Sequence, residues 1–282
     1  MATASATDRA RALYRMGRYD LAAAELVPAL ADDPGYGDAH ALLALCLENQ
    51  GKLVDAERHA NAAVAAWPED AFCHYVRASV IKARGNARQA AASALESVKL
   101  SPEFVAAWHL LAMIRLDQKD WRAAVACADE GLAHDPDDEG CAVVRAAALL
   151  EMGYYEKAND TIERLLTRHP ESGAAHALRG WYLLDRNDPH AAIEAFHEGL
   201  RLNPTARGAQ GGLQQARGSR NLLLRSFRRM ERPANKWMQR LPPHARWLGV
   251  FLYAVLYVGV VWLGTTLLIL ILLLLVVVTG LF

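Results

Sequence analysis

The chain has 282 residues with 31 Lys or Arg and 31 Asp or Glu, so its formal net charge is zero. That balance is a cancellation: residues 1–204 carry 21 basic and 30 acidic side chains, while residues 205–247 carry ten basic and one acidic. The four cysteines, Cys46, Cys73, Cys127 and Cys141, form no CxxC pair and no metal-ligand spacing, which excludes a disulfide framework or a zinc site and fits a reducing compartment.

Met1–Ala12 is short, polar and charged at Asp8, Arg9 and Arg11, so no signal peptide is expected. Beyond it, Pro34, Pro68, Pro102, Pro136, Pro170 and Pro204 stand 34 residues apart. Twelve residues before each proline is an alanine: Ala22, Ala56, Ala90, Ala124, Ala158, Ala192. Twenty-four before it the residue is again small, at Ala10, Ala44, Ala78, Ala112, Ala146 and Gly180. Small residues at fixed steps are what two helices need where they cross most closely. Gly17, Gly51, Gly85 and Gly153 mark a tight turn inside the unit, with Lys119 and Asn187 in its place elsewhere. The period divides residues 3–206 into six units: 3–36, 37–70, 71–104, 105–138, 139–172 and 173–206. This pattern resembles the tetratricopeptide repeat, whose period is 34 residues. The resemblance implies an all-α, right-handed superhelical solenoid of six helix-turn-helix repeats whose first helices line a concave protein-binding face. The tryptophan usual near the start of the family's first helix is present as Trp108 and replaced by His40, His74 and His176.

On that reading the groove-facing residues are Leu42 and Leu45, then Phe72, Tyr75 and Val76, then His109, Leu110 and Met113, then Val143 and Val144, then Leu178 and Trp181. Exposed apolar stripes of this kind mark interaction sites, and the alternative is half-buried packing between helices. Tyr75, Met113 and Trp181 are the expected anchors. The family's carboxylate-clamping members need a set of Lys, Arg and Asn side chains in the groove. Here Asn49, Lys82, Arg11 and Arg15 are scattered, so the expected ligand is an apolar or amphipathic segment of a partner protein.

Residues 207–218 read as a polar capping helix. Residues 219–247 form a basic amphipathic connector, with Arg225, Arg229, Arg232, Lys236, Arg240 and Arg246 on one side and Trp237 and Trp247 as interfacial aromatics. Pro233 is expected to kink or split that helix. Leu248–Phe282 contain no charged residue or histidine over 35 positions, which reads as a transmembrane anchor. One helix of that length would run roughly 52 Å against a hydrocarbon core of about 30 Å. A hairpin bending near Gly264, Thr265 and Thr266 fits better than one long tilted span, although both arrangements remain open. Basic residues beside the span place the repeats on the cytoplasmic side. The whole is similar to bacterial inner-membrane, tail-anchored tetratricopeptide proteins.

Little suggests chemistry. His40, His74 and His176 share the Trp108 position, which reads as one structural slot, and His197-Glu198 lacks an HExxH context. No GxSxG motif, phosphate loop or dinucleotide fingerprint occurs. The run Asp135, Asp137, Asp138, Glu139 falls at an inter-unit turn and reads as a solvated face. The expectation is a non-enzymatic membrane adaptor or scaffold with no cofactor, metal or nucleic-acid partner. The alternative is an integral subunit or assembly factor of a larger membrane complex, with the hydrophobic tail as its working part.

Overall fold

The structure, a computed structural model, describes residues 2–218. The expected connector at 219–247 and the hydrophobic segment at 248–282, with all the membrane-interface residues, lie outside the described residues. No helix among the described residues is long and apolar enough to cross a membrane.

Thirteen helices make up the described chain, with no strand among them. They are α1 (Ala2–Arg15), α2 (Tyr19–Asp32), α3 (Gly37–Asn49), α4 (Leu53–Ala66), α5 (Ala71–Ala83) and α6 (Ala87–Leu100). Then follow α7 (Val105–Asp117), α8 (Trp121–His134), α9 (Glu139–Met152) and α10 (Tyr155–Arg168). Last come α11 (Gly173–Asp185), α12 (Pro189–Leu202) and α13 (Arg207–Gly218). Each odd helix packs on the even helix that follows it. The odd helices α1 to α11 also touch one another in series, whereas even helices meet mainly odd ones. A stack whose odd helices are crowded together and whose even helices fan apart curves with the odd row inside.

The periodic residues explain this geometry. All six alanines from Ala22 to Ala192 are fully buried, as are Ala10, Ala44, Ala78, Ala112 and Ala146. Unit six varies the theme. Gly180 and Gly212 flank the fully buried Phe196, and a Cβ on either would come within 2.7 Å and 2.3 Å of its ring. Inside each unit the turn needs a left-handed residue: Gly17, Gly51, Gly85 and Gly153 have φ of 72° to 86°, and Lys119 and Asn187 adopt the same region at 61° and 67°.

Each recurring proline acts on both sides of its junction. Its ring forces the preceding residue out of the helical region. Accordingly Asp33, Trp67, Ser101, Asp135, His169 and Asn203 all have φ between −142° and −127° and ψ between 70° and 96°, and every even helix stops one residue earlier. The proline carbonyl then receives a side-chain N–H from six residues on, in the first turn of the next odd helix. His40 Nε2 reaches Pro34 O at 3.1 Å, His74 Nε2 reaches Pro68 O at 2.8 Å, and Trp108 Nε1 reaches Pro102 O at 2.7 Å. His176 Nε2 on Pro170 O, at 3.0 Å, and Gln210 Nε2 on Pro204 O, at 2.8 Å, repeat the bond. The shared histidine position is therefore a junction clasp that imidazole, indole or amide can supply. Only Pro136 differs: the residue six on is Ala142, and Arg168 Nη1 takes the carbonyl at 3.0 Å instead.

Trp108→Phe keeps a large ring in the slot and deletes its N–H. Thermal or urea unfolding of this variant is expected to show a loss of about 1 kcal/mol, the net contribution of one such bond. No loss would mean that the ring contacts alone hold the junction.

Candidate functional site

The inner surface is built from the odd helices, and the residues expected there divide into a buried set and a half-buried set. Leu42, Val76, Leu110, Val144 and Leu178, expected to face the groove, are buried instead. A step of one residue turns a helix by about 100°, so these five point into the layer between odd and even helices while their neighbours look inward. Leu45, Phe72, Tyr75, His109, Met113, Val143 and Trp181 are half-buried and keep surface available. Phe72, Tyr75 and Phe104 form a ring series with centroids 6.2 Å and 5.2 Å apart. Trp181 meets Phe196 edge-on at 5.5 Å, so this anchor is also part of the core of unit six. His109 lies over Gly140, where a Cβ would come within 2.7 Å of the imidazole.

The expected continuous apolar stripe is interrupted at its N-terminal end. A series of polar contacts crosses from one odd helix to the next there. Arg11 of α1 holds Asp38 of α3 at 2.6 Å and 2.8 Å. Asn49 of α3 donates to the Tyr14 hydroxyl of α1 at 3.4 Å. Ser79 of α5 donates to the Glu48 carboxylate of α3 at 2.9 Å, and Lys82 of α5 pairs with Asp117 of α7 at 3.1 Å. Arg11 and Lys82 are thus engaged by carboxylates of their own chain, and Asn49 also bonds Leu45 O at 2.9 Å. Burial raises the Glu48 carboxyl above its ordinary range, against the opposing pull of Ser79 and Lys82. Tyr14 and Tyr75 are raised chiefly by burial as well. Beyond His109 the inner row is apolar, through Met113, Leu116, Val143, Ala147, Leu150 and Trp181.

Sequence patterning missed several roles. Asp138, placed in a solvated acidic run, caps α9 by accepting from the Cys141 N–H at 2.6 Å, and Asp137 pairs with Arg168. Asp70, Asn86, Asp120, Ser172 and Asp188 cap their helices in the same way. Asp or Ser three residues ahead of the capped N–H is a legible signal. Cys46, Cys73 and Cys141 are buried in the core and Cys127 is half-buried: burial pushes Cys46 up to about 11 and raises Cys73, Cys127 and Cys141 too, which keeps all four protonated.

A sequence model of the tetratricopeptide repeat matches residues 7–71, 75–139 and 143–213, well over half of the chain. The chain belongs to the tetratricopeptide repeat family. No curated protein matches it in sequence. Among solved structures, the tetratricopeptide stack is similar to the Cut9–Hcn1 assembly of the APC/C, with TM-score 0.67 and 16% identity over 76% of this chain and 42% of that one. It is similar to PilF of Pseudomonas aeruginosa, with TM-score 0.64 and 19% identity over 76% of this chain and 97% of that one. It also resembles YrrB, described as a tetratricopeptide protein with an unusual peptide-binding site, with TM-score 0.51 and 13% identity over 67% and 97% of the two chains. Such matches extend to 327 solved chains, so the tetratricopeptide fold alone selects no function.

Two histidines are expected to give the repeat stack a pH dependence. Burial lowers His59 and His109 from their ordinary value, with His40 adding to the shift at His59. A base depressed in the folded state is protonated first in the unfolded chain. Its contribution to stability is full above about pH 6.5 and is lost as pH falls below that value. The melting temperature is therefore expected to fall between pH 7.5 and 5.5, and to fall less in a His59→Gln, His109→Gln double variant. Equal slopes in the two proteins would assign the acid sensitivity elsewhere.

Proposed function

We propose that this protein is a non-enzymatic, membrane-anchored adaptor that holds an apolar or amphipathic helical segment of a partner protein in its concave groove. The observation that carries this reading is the half-buried apolar row of Met113, Leu116, Val143, Ala147, Leu150 and Trp181 along the inner helices of units four to six. Such a row suits the i, i+3, i+4, i+7 anchors of a docked helix. Within the same groove Arg11 and Lys82 are neutralised by Asp38 and Asp117, which argues against capture of a free carboxylate terminus. YrrB, with its peptide-binding site, offers a precedent of similar fold.

The membrane part rests on the sequence. The uncharged stretch from Leu248 to Phe282 supports an anchor, and the ten basic residues between 205 and 247 support a cytoplasmic placement of the repeats beside anionic headgroups. Confinement to the bilayer would raise the partner's effective concentration near a membrane complex.

Met113→Lys with Ala147→Glu places charge on the apolar row while leaving the buried layer intact. Proximity crosslinking in native membranes is expected to recover a partner with the native chain and at least about tenfold less with the variant, at unchanged helicity, as befits loss of central contacts. An unchanged partner set would sink the groove assignment. Fractionation tests the anchor separately. A chain ending at residue 218 is expected in the soluble fraction and the full chain in the membrane pellet; the same distribution for both would overturn membrane anchoring.

A further inference from the structure

Between units four and five, α8, α9 and α10 enclose a cavity of about 350 Å³ that is open on one side. It lies where Ala142 replaces the clasp residue of the other junctions. Two groups of the vacancy, a proline carbonyl and an arginine, have counterparts in a filled slot 68 residues earlier, while Arg164 and Arg168 stand here in place of Glu96 and Leu100. There His74 donates from Nε2 to Pro68 O at 2.8 Å, and its Nδ1 accepts from Arg77 Nη2 at 3.3 Å. A carbonyl only accepts and a guanidinium only donates, so His74 is held as the neutral Nε2–H tautomer. The corresponding groups at the vacancy are Pro136 and Arg145, both of which line the cavity. Arg145 bonds Asp129 through Nε at 2.5 Å and Thr161 through Nη1, and Nη2 makes neither bond. Pro136 O accepts one hydrogen bond, from Arg168, and a carbonyl oxygen has room for a second.

Three positions after the clasp, His74 and His176 are followed by Arg77 and Arg179, whereas His40, Trp108 and Gln210 are followed by Leu43, Leu111 and Leu213. An indole has no acceptor to offer an arginine; an imidazole has one. Position 145 is an arginine beside Ala142, so no clasp ring stands there to accept, and the imidazole on the cavity wall, His169, is bonded through Nε2 to Asp137 O at 2.9 Å.

We propose that this cavity is a binding site for a neutral imidazole, the side chain of a histidine on a partner protein, which donates to Pro136 O and accepts from Arg145. It stands on the outer side of the stack and is independent of the groove. A protonated ring could not accept from Arg145; Arg164 and Arg168 share the wall with Asp129, Asp137 and Asp138, and these three carboxylates are already engaged by Arg145, Arg168 and the Cys141 N–H.

Thermal unfolding of the full chain at pH 8 tests this with two probes, imidazole and N-acetylhistidine methylamide. Each, at concentrations on the order of tens of millimolar, is expected to raise the melting temperature by about 1–2 °C. Ala142→His should be more stable than the native chain and insensitive to both. Arg145→Leu carries the residue found at positions 43 and 111, so it should stay folded and lose the response. At pH 5.5 the response should vanish. No shift in the native chain, an equal shift in either variant, or an equal shift with benzene would overturn the site. A response to imidazole but not to the histidine derivative would overturn the partner histidine.

Discussion

The proline junction fixes this molecule. One residue ends a helix by its ring, and its carbonyl then anchors the first turn of the next unit through a bond that spans six residues. Both effects are local, so they act the same way wherever the sequence places them. The angle between successive units is set by a short backbone segment and one side chain, and the burial of small residues on either side fills in around it. That is why five junctions tolerate three chemically different clasps. What the junction requires is an N–H at the right distance, and imidazole, indole and amide each provide one.

Because the angle is set outside the groove, the inner row is free to vary. Its two ends have become different surfaces. At the N-terminal end neighbouring odd helices are tied by Arg11 to Asp38, Asn49 to Tyr14, Ser79 to Glu48 and Lys82 to Asp117. These pairs leave few unmet polar demands for a ligand to satisfy. At the C-terminal end the helices meet through Met113, Val143 and Ala147, whose outward surfaces remain apolar. Of the polar ties, Asn49–Tyr14 and Lys82–Asp117 are exposed and contribute little net stability, whereas Arg11–Asp38 and Ser79–Glu48 are part-buried.

Backbone constraints were the legible part of this sequence. Proline, glycine and tightly packed alanine act through sterics that depend on nothing distant, so the period announced the helix pairs, and the φ of Lys119 and Asn187 followed from the glycines they replace. The groove was harder to read because facing is decided within a third of a turn. Val76 and Tyr75 are adjacent and both apolar, yet one is core and the other is half-open. The polar pairs were invisible for another reason: they join residues 27 to 35 positions apart whose approach depends on the superhelix itself. Ala142 stands at the position of His40, His74, Trp108 and His176, and its meaning required knowing what those residues do.

The serial packing also has a kinetic side. Among the described residues, the helices that pack substantially on one another lie one or two places apart in the chain, so the packing is built within and between neighbouring units. Loop closure then adds little to the folding barrier, and topology of this type folds fast for its size. At the pace of synthesis each helix pair can settle on the one before it while the next is still being translated. The first unit would be standing long before the uncharged residues from Leu248 onward had left the ribosome.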